Sequence, residues 1–222
     1  MKTFSIAIDG PAGAGKSTIA KKLAHLLQCI YVDSGAMYRS VGYYCLQNDI
    51  ALEDEQAVGA ALPMMDIILN HTEEGQRIFL NGEDVSQSIR TAEVAASASK
   101  VATYGAVRCA MVERQQDMAK STSIIMDGRD IGTVVLPFAT LKVFLTASVE
   151  ERAMRRFKEY EEKGIPCDLE SLKQEISLRD QQDSEREISP LKKAEEAIEV
   201  DTTHMPIDEI VKHIEDLLKG RL

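Results

Sequence analysis

The sequence predicts an α/β fold: a five-stranded parallel sheet with helices on both faces, a small antiparallel β insert and a mobile helical lid. Three observations carry this prediction. Short apolar runs alternate with helical sequence along the chain, residues 63–90 contain closely spaced β-like runs, and residues 149–188 are dense in charge. Strands that alternate with helices are typical of crossover connections, which a parallel sheet requires.

Five apolar runs are predicted to form the parallel strands. In the first, Phe4, Ile6 and Ile8 alternate with other residues, and the run leads into a glycine-rich loop and the helix-period segment IAKKLAHLL. The other four are CIYV at 29–32, SIIM at 123–126, LKVFL at 141–145 and AIEV at 197–200. Because helical sequence separates each run from the next, we expect all five strands to be parallel.

The β insert is predicted from three short runs, IILN, QRIFL and EDVS, within residues 63–90. Asn81-Gly82 stands between the last two runs, and Asn-Gly is a preferred dipeptide of two-residue hairpin turns. We therefore expect a small antiparallel sheet here. Residues 91–120 are rich in Ala, Val and Met, which predicts helix, with a bend near Gly105.

Helical sequence also dominates the last third of the chain. Ser148-x-x-Glu151 is a capping box that opens a charge-dense helical segment, and Gly164-Ile165-Pro166 predicts a break in it. After Pro206, apolar residues at helical spacing predict a closing helix. We interpret residues 1–222 as one domain, with a core of about 1–33, 121–148 and 189–222, an insert of about 34–120 whose antiparallel part is 63–90, and a lid of about 149–188.

Composition excludes several classes of protein. The chain has 222 residues, of which 44% are hydrophobic and 28% charged, as in ordinary globular domains. Its net charge of -10 argues against a nucleic-acid or anionic-membrane partner. No apolar stretch reaches the roughly 18 residues of a membrane helix, and MKTFSIAIDG is not a signal peptide, so we expect a cytoplasmic protein. Cys29, Cys45, Cys109 and Cys167 form no CxxC pair, which predicts free thiols.

Residues 10–17 read GPAGAGKS and satisfy the phosphate-loop pattern GxxxxGK[ST]. In such a loop, backbone N–H groups and the start of the next helix converge on phosphate oxygens. Lys16 can reach the β and γ phosphates, and Ser17 can ligate Mg²⁺. The strand before and the helix after indicate a P-loop NTPase-type domain. The predicted ATP-binding residues are Gly10, Pro11, Ala12, Gly13, Ala14, Gly15, Lys16, Ser17 and Thr18.

Two further polar segments follow predicted strands. DSGAMYR at 33–39 comes after the second strand, and DGRD at 127–130 comes after the third. Ligands of open parallel sheets bind beyond the carboxyl ends of the strands, so both segments should lie beside the phosphate loop. Taken singly, each could equally be a polar turn with a helix N-cap at Asp33 or Ser34. Together with the phosphate loop, they indicate a site for a second ligand.

Arginines could hold that ligand if it carries a phosphate. Two unit charges about 4 Å apart repel by about 4 kcal/mol at an effective dielectric near 20, so fixed cations are needed beside a triphosphate. The candidates are Arg39, Arg108, Arg129, Arg152, Arg155, Arg156, Arg179 and Arg186. For any single one, a surface salt bridge is the alternative. The four histidines share no motif, and a phosphate acceptor needs no general base, because its ionised oxygen is already nucleophilic.

Seven segments together resemble the bacterial cytidylate kinases, a family of P-loop nucleoside monophosphate kinases, nearly from end to end. They are IDGPAGAGKST, VDSGAMYR, IRTAEVAASASKVA with Arg108 following, IMDGRDIGTVV, ERAMRR, RDQQDSER and SPLKKAEEAIEVDTT. Many enzymes share the phosphate loop, whereas DSGAMYR, DGRDIGT and RDxxDSxR in combination are specific to this family. The resemblance implies a monomer that phosphorylates CMP and dCMP with ATP and Mg²⁺, by in-line transfer, in pyrimidine nucleotide metabolism.

The resemblance also implies roles for individual residues. The groups holding the CMP phosphate would be Ser34, Arg39, Arg129 and Arg186. Those reading cytosine would be Ser99, Arg108 and Asp130, and those contacting the pentose Arg179 and Asp183. The catalytic cations would be Lys16, Arg129, Arg155 and Arg156, the last two carried by the lid. Asp127 would support the hydrated Mg²⁺ together with Ser17.

Two other functions are compatible with the motifs. The same fold could phosphorylate a different monophosphate or a small hydroxylated metabolite, and a hydroxyl acceptor would need a base, for which Asp33 is the candidate. A nucleotide-dependent switch that hydrolyses ATP or GTP slowly is the third hypothesis. The sequence lacks an NKxD-type guanine-reading motif, which argues against a GTP switch.

Overall fold

A computed structural model of the chain describes residues 3–72 and 75–222. Its strands, in chain order, are β1 (Ser5–Asp9), β2 (Ile30–Asp33), β3 (Ile67–Thr72), β4 (Gly75–Leu80), β5 (Glu83–Asp84), β6 (Ile124–Gly128), β7 (Leu141–Thr146) and β8 (Ile198–Asp201). Its α-helices are α1 (Lys16–Leu27), α2 (Ser34–Gln47), α3 (Glu55–Ala61), α4 (Ala92–Val101), α5 (Gly105–Met118), α6 (Val149–Glu162), α7 (Leu169–Glu185) and α8 (Ile207–Lys219).

The main sheet contains the five predicted strands in the order β2-β6-β1-β7-β8, and every neighbouring pair is parallel. Alternation along β1 sends side chains to opposite faces. Ile6 and Ile8 pack in a cluster with Leu23 of α1 and Ile214 of α8. Ala7 belongs to a cluster on the other face, which also contacts Met118 of α5. The prediction of a parallel sheet covered on both faces is confirmed.

The antiparallel insert has the strand order β3-β4-β5. Asn81 and Gly82 form the turn between β4 and β5 with φ values of 51° and 84°. Two consecutive positive φ values are what a type I′ hairpin turn requires, so the predicted hairpin is confirmed. The sheet packs through Ile78 onto a cluster that includes Val41 of α2 and Val107 of α5. Residues 73 and 74 of the predicted β region lie outside the described residues.

The predicted helical segments are present, with breaks where glycine and proline indicated them. Residues 91–120 form α4 and α5, and Gly105 begins α5 after a break rather than a bend. The Oγ of Ser148 caps α6 by accepting a 3.1 Å hydrogen bond from the Glu151 N–H. The Glu151 carboxylate pairs with Arg155 at 3.0 Å. Residues 163–168, where Gly164 has a φ of 66°, separate α6 from α7. The division into core, insert and lid stays a prediction.

The helices are those of a globular domain in length and polarity. The longest in the described part of the chain, α7, has 17 residues and carries charged side chains along its length. Among residues 3–72 and 75–222, no helix combines the length and the apolar character needed to cross a bilayer.

Candidate active site

Three aspartates lie where neighbouring parallel strands end. Asp33 at the end of β2 is in register with Asp127 on β6, and Asp9 at the end of β1 is in register with Gly128. All three carboxylates are buried. Buried charges are tolerated only where hydrogen-bond donors and cations surround them. Hydrogen-bond donors and cations must therefore surround these carboxylates at the carboxyl-terminal edge of the sheet.

Asp9 holds the loop that follows β6. Its two carboxylate oxygens accept hydrogen bonds from the backbone N–H groups of Ile131 and Gly132, at 2.8 and 2.7 Å. Burial raises the pKa of Asp9 to about 6, although these two bonds favour the ionised form. The loop carries Arg129 and Asp130, so Asp9 positions both. Sequence reasoning missed Asp9, and its place directly before the phosphate loop was the available signal.

The phosphate loop joins β1 to α1. Gly13 within it has a φ of 79°, a left-handed conformation that glycine adopts without strain. The Nζ of Lys16 donates a 2.7 Å hydrogen bond to the carbonyl of Pro11. Burial, followed by the nearby charge of Arg129, lowers the pKa of Lys16 to about 7. A triphosphate in the loop would stabilise the charged form of this lysine.

Ser17 and Asp127 lie together at the start of α1 and the end of β6. The hydroxyl of Ser17 donates to Asp127 Oδ2 at 3.0 Å, and the hydroxyl of Tyr31 donates to Oδ1 at 2.7 Å. Burial, with the charge of Asp33 as the second cause, raises the pKa of Asp127 to about 6. Hydroxyl and carboxylate oxygens suit Mg²⁺, which keeps several waters when few side chains ligate it. The pair therefore fits the predicted metal. Tyr31 was not identified from the sequence.

A cavity of about 250 Å³ opens beside the phosphate loop, between α2, α4 and α7. Every residue predicted to bind the second substrate lines it. These are Ser34, Arg39, Ser99, Arg108, Arg129, Asp130, Arg179, Asp183 and Arg186. The structure thus brings together side chains that are far apart in sequence, and their individual roles stay predictions.

Ion pairs fix the orientation of several of these side chains. Arg108 pairs with Asp130, and both are buried. Arg129 Nε donates to Asp183 Oδ2 at 2.8 Å, and although burial opposes it, Arg129 lowers the pKa of Asp183. The cavity wall is therefore ordered by contacts between the loop after β6 and helices α5 and α7.

Asp33 is engaged on both oxygens. Its Oδ1 accepts a 2.9 Å hydrogen bond from the N–H of Ala36, which caps α2, and its Oδ2 pairs with Arg39 at 2.8 Å. A carboxylate held in this way serves as a cap and as a partner for arginine. Its geometry does not favour the alternative role as a general base for a hydroxyl acceptor.

Unsatisfied donors line the same cavity. Among the described residues, four buried guanidinium nitrogens of arginines that line this cavity have no hydrogen-bond partner. They are Nε of Arg39, Arg108 and Arg179, and Nη2 of Arg186. An unpaired buried donor costs about 1 to 3 kcal/mol, so the cavity is suited to a ligand rich in acceptors, such as a phosphate ester.

A second cavity, of about 530 Å³, lies on the other side of the phosphate loop. Lys16 and Ser17 line both cavities, so the two meet at the loop. The far wall of the second cavity is apolar, with Met205, Ile207 and Ile210 following the turn after β8. A flat base can pack on such a wall. The sequence did not identify these residues, because an apolar run at the start of a helix is too common to single out.

Arg155 and Arg156 line the second cavity and not the first. Arg155 Nη2 donates to the carbonyl of Thr202 at 2.6 Å, and Arg156 Nη2 donates to the hydroxyl of Tyr160 at 3.0 Å. The structure therefore places both in the second cavity, whereas Arg129 lines the first. Their predicted catalytic role stays a prediction.

The sequence matches the family described as Cytidylate kinase over residues 6–220. The chain belongs to the cytidylate kinase family. A Cytidylate kinase of Geobacillus sp. (strain WCH70) is 54% identical over 217 residues, or 98% of this chain and 97% of the relative. One of Bacillus subtilis (strain 168) is 51% identical over 96% of this chain and 95% of the relative. The predicted family and enzyme class, a nucleoside monophosphate kinase, are confirmed.

Several solved structures have the same fold as this member of the cytidylate kinase family. An uncharacterized protein from Eubacterium ventriosum ATCC 27560 aligns with a TM-score of 0.56 and 12% identity, over 99% of this chain and 100% of that one. A gluconokinase from Sinorhizobium meliloti 1021 aligns with a TM-score of 0.50 and 15% identity, over 98% and 92%. At such identities the similarity establishes the architecture alone.

Proposed function

We propose that this chain transfers the γ-phosphoryl group of ATP to CMP and dCMP, giving ADP with CDP or dCDP. The observation that carries the proposal is the pair of cavities that meet at the phosphate loop. The larger cavity has an apolar wall of Met205, Ile207 and Ile210, and the smaller one has arginines with unpaired donors. Membership of the cytidylate kinase family supports the choice of acceptor.

The acceptor phosphate binds in the smaller cavity, on Ser34, Arg39, Arg129 and Arg186. These cations offset its repulsion from the triphosphate, about 4 kcal/mol for two unit charges about 4 Å apart at an effective dielectric near 20. The acceptor oxygen is ionised, so no side chain has to remove a proton. Catalysis then consists of aligning the two phosphates and stabilising the charge of the transition state, with Lys16 and Arg129 nearest the loop.

Ser17 and Asp127 would hold Mg²⁺, which would neutralise charge on the β and γ oxygens of ATP. Tyr31 keeps Asp127 oriented by its 2.7 Å hydrogen bond. The ionised form of Asp127 is the one that supports a cation, and the donors from Tyr31 and Ser17 favour that form. The hydrogen bonds from these two hydroxyls therefore lower the pKa of Asp127, which burial raises.

Asp130 and Arg108 read the base. Cytosine presents an amino donor beside the N3 and O2 acceptors, which match one carboxylate and one guanidinium. Uracil presents a carbonyl and an N–H in the corresponding places. Each mismatch leaves a buried polar group unpaired at about 1 to 3 kcal/mol, so CMP is preferred to UMP. Arg179 and Asp183 contact the pentose.

The helices α6 and α7 act as the lid. Their closure brings Arg155 and Arg156 over the triphosphate and excludes water, which would otherwise accept the phosphoryl group. The proposal also includes a cytoplasmic, monomeric enzyme, as the sequence predicts.

A coupled assay of ADP release tests the proposal, with CMP, dCMP, UMP, AMP and GMP as acceptors. We expect CMP and dCMP to give the highest kcat/KM. Higher turnover of AMP or GMP would overturn the assignment of Asp130 and Arg108 to base reading. Thermal stabilisation by CMP alone distinguishes a kinase from a switch, because a switch has no site for a second nucleotide.

A further inference from the structure

Arg152, in the first turn of α6, is a buried arginine that contacts the phosphate loop and lines the second cavity. Only 4% of the residue is exposed. Its Nε donates to the carbonyl of Ala147 at 2.9 Å, and its Nη1 donates to the carbonyl of Ala12 at 3.1 Å. A Cβ placed on Gly13 would lie 3.2 Å from the Cβ of Arg152, so the stem of the arginine packs against the loop backbone.

The guanidinium of Arg152 also binds α7. Its Nη1 donates to Asp180 Oδ1 at 3.0 Å and its Nη2 to Oδ2 at 2.6 Å. This is the two-pronged arrangement that fixes a guanidinium in both position and plane. One side chain of α6 thus connects a carboxylate on α7 with a carbonyl of the phosphate loop.

The contact with Ala12 determines where the next N–H of the loop points. In a planar trans peptide, the carbonyl of one residue and the N–H of the following residue point in opposite directions. Arg152 holds the Ala12 carbonyl toward α6, so the Gly13 N–H faces the other way. Gly13 lines both nucleotide cavities. Backbone N–H groups in such a loop are the donors that bind phosphate.

On α7, Asp180 sits among residues that face the acceptor cavity. Arg179 precedes it and lines both cavities, and Asp183 follows three residues later, which places it on the same side of the helix. Asp183 pairs with Arg129 at 2.8 Å. A shift of α7 when the acceptor binds would therefore reach Asp180, then Arg152, and then the Ala12–Gly13 peptide.

We propose that Arg152 is a positioning residue. It couples the position of α7, which contacts the acceptor, to the orientation of the Ala12–Gly13 peptide, which binds the triphosphate. This inference rests on the proposed function, because it requires a nucleotide in each cavity. Binding of CMP then tightens binding of ATP, and by thermodynamic reciprocity ATP tightens CMP to the same extent. The Arg152–Asp180 pair carries the coupling between the cavities: Arg152 lines the second cavity, and Asp180 lines neither.

Calorimetry of the full chain tests the coupling. The dissociation constant of the β,γ-imido analogue of ATP is measured with Mg²⁺, first alone and then with saturating CMP. We expect CMP to tighten the analogue by about tenfold in the unaltered protein. In Asp180→Asn, we expect the factor to fall below about twofold while CMP and the analogue each still bind. Arg152→Lys, which keeps the charge but loses the two-pronged contact, should show the same loss.

Glu170→Gln is the matched control, because it removes a carboxylate from the same helix at an exposed pair with Lys173. We expect it to keep the full coupling.

If either single variant fails to fold, Arg152→Gln/Asp180→Asn removes both charges and leaves no lone buried ion. The ratio of the two dissociation constants is unaffected by the folded fraction, so a merely structural defect would not change it. Full coupling in these variants, or none in the unaltered protein, would overturn the inference. If CMP did not bind the unaltered protein at all, the proposed function would fail as well.

Discussion

The hydroxyl of Tyr31 donates a 2.7 Å hydrogen bond to Oδ1 of Asp127, joining β2 to β6, whose ends line the smaller cavity. Both groups are buried. The bond is one of two hydroxyl donors that keep Asp127 ionised against the effect of burial, which raises its pKa to about 6. The aromatic residue thus sets the pH range in which the carboxylate can support a cation.

Tyr31→Phe should move the acid limb of the kcat–pH profile to higher pH. The substitution removes a donor that lowers the pKa of Asp127, so the carboxyl takes up a proton at a higher pH than before. Activity would then be lost at pH 6 relative to pH 8, and stability would fall by about 1 kcal/mol. Profiles of kcat between pH 5 and about 8.5 provide the measurement.

Tyr104→Phe is the control for that experiment, because Tyr104 donates a 2.5 Å hydrogen bond to the carbonyl of Leu52, away from both cavities. It loses a tyrosine hydroxyl without touching Asp127. If its profile and that of Tyr31→Phe coincide, Tyr31 does not act through the carboxylate.

Lys16 should take up a proton when ATP binds at alkaline pH. Burial and Arg129 lower its pKa to about 7, so above that value the free protein holds it mostly neutral. A bound triphosphate favours the charged form, so binding at pH 8 should be accompanied by uptake of about 0.9 proton per site. By the same linkage, affinity for ATP should weaken by up to about tenfold per pH unit above pH 8. Calorimetry in buffers of different ionisation enthalpy measures the uptake.

Lys16→Met gives the reference for this titration, since it has no amine at the same position. Residual uptake in this variant belongs to other groups and is subtracted. Equal uptake in both proteins would assign the proton elsewhere.

The strands and the hairpin were predictable because their signals are local. Alternation in β1 and the Asn81-Gly82 turn depend on neighbouring residues only, and packing did not override them. The residues that line the smaller cavity were predictable for a similar reason. They stand directly after strands or within family motifs, and parallel strands bring their ends to one edge.

The supporting contacts of Asp9 and Arg152 were not predictable, because their partners are distant in sequence, although Arg152 was among the candidate phosphate-binding arginines. Asp9 binds backbone groups 122 and 123 residues away, and Arg152 binds Ala12 at a separation of 140. An aspartate ending a strand and an arginine on a charged helix have ordinary surface roles in most sequences. Only the packed structure shows that both are buried at the site.

Asp130→Asn should weaken the preference for CMP over UMP. The amide keeps one acceptor oxygen and adds a donor, which matches a uracil carbonyl better than the carboxylate does. We expect the ratio of kcat/KM values for CMP and UMP to fall by at least about tenfold, on the basis of about 1 to 3 kcal/mol for each mismatched group. An unchanged ratio would show that Asp130 does not read the base.

The same substitution should also lower stability. Asp130 and Arg108 form a buried ion pair, and removing one charge leaves the other uncompensated, at a cost of about 3 to 5 kcal/mol. Thermal unfolding measures this loss. The ratio of kcat/KM values for two substrates does not depend on how much protein is folded, so it separates base reading from stability.

Gly13→Ala should impair nucleotide binding more than stability, and Gly82→Ala provides a matched comparison. The two glycines have φ values of 79° and 84°, so alanine should bring a similar backbone strain of about 1 to 2 kcal/mol at either position. A Cβ at position 13 would lie 3.2 Å from the Cβ of Arg152, whereas at position 82 nothing lies within 4 Å. Only the first variant must therefore displace the loop backbone or the arginine.

We expect similar losses of unfolding free energy in both variants. Binding of an ATP analogue should be weaker, and kcat lower, in Gly13→Ala alone. Equal binding in the two variants would mean that the close contact between Gly13 and Arg152 does not shape the phosphate loop.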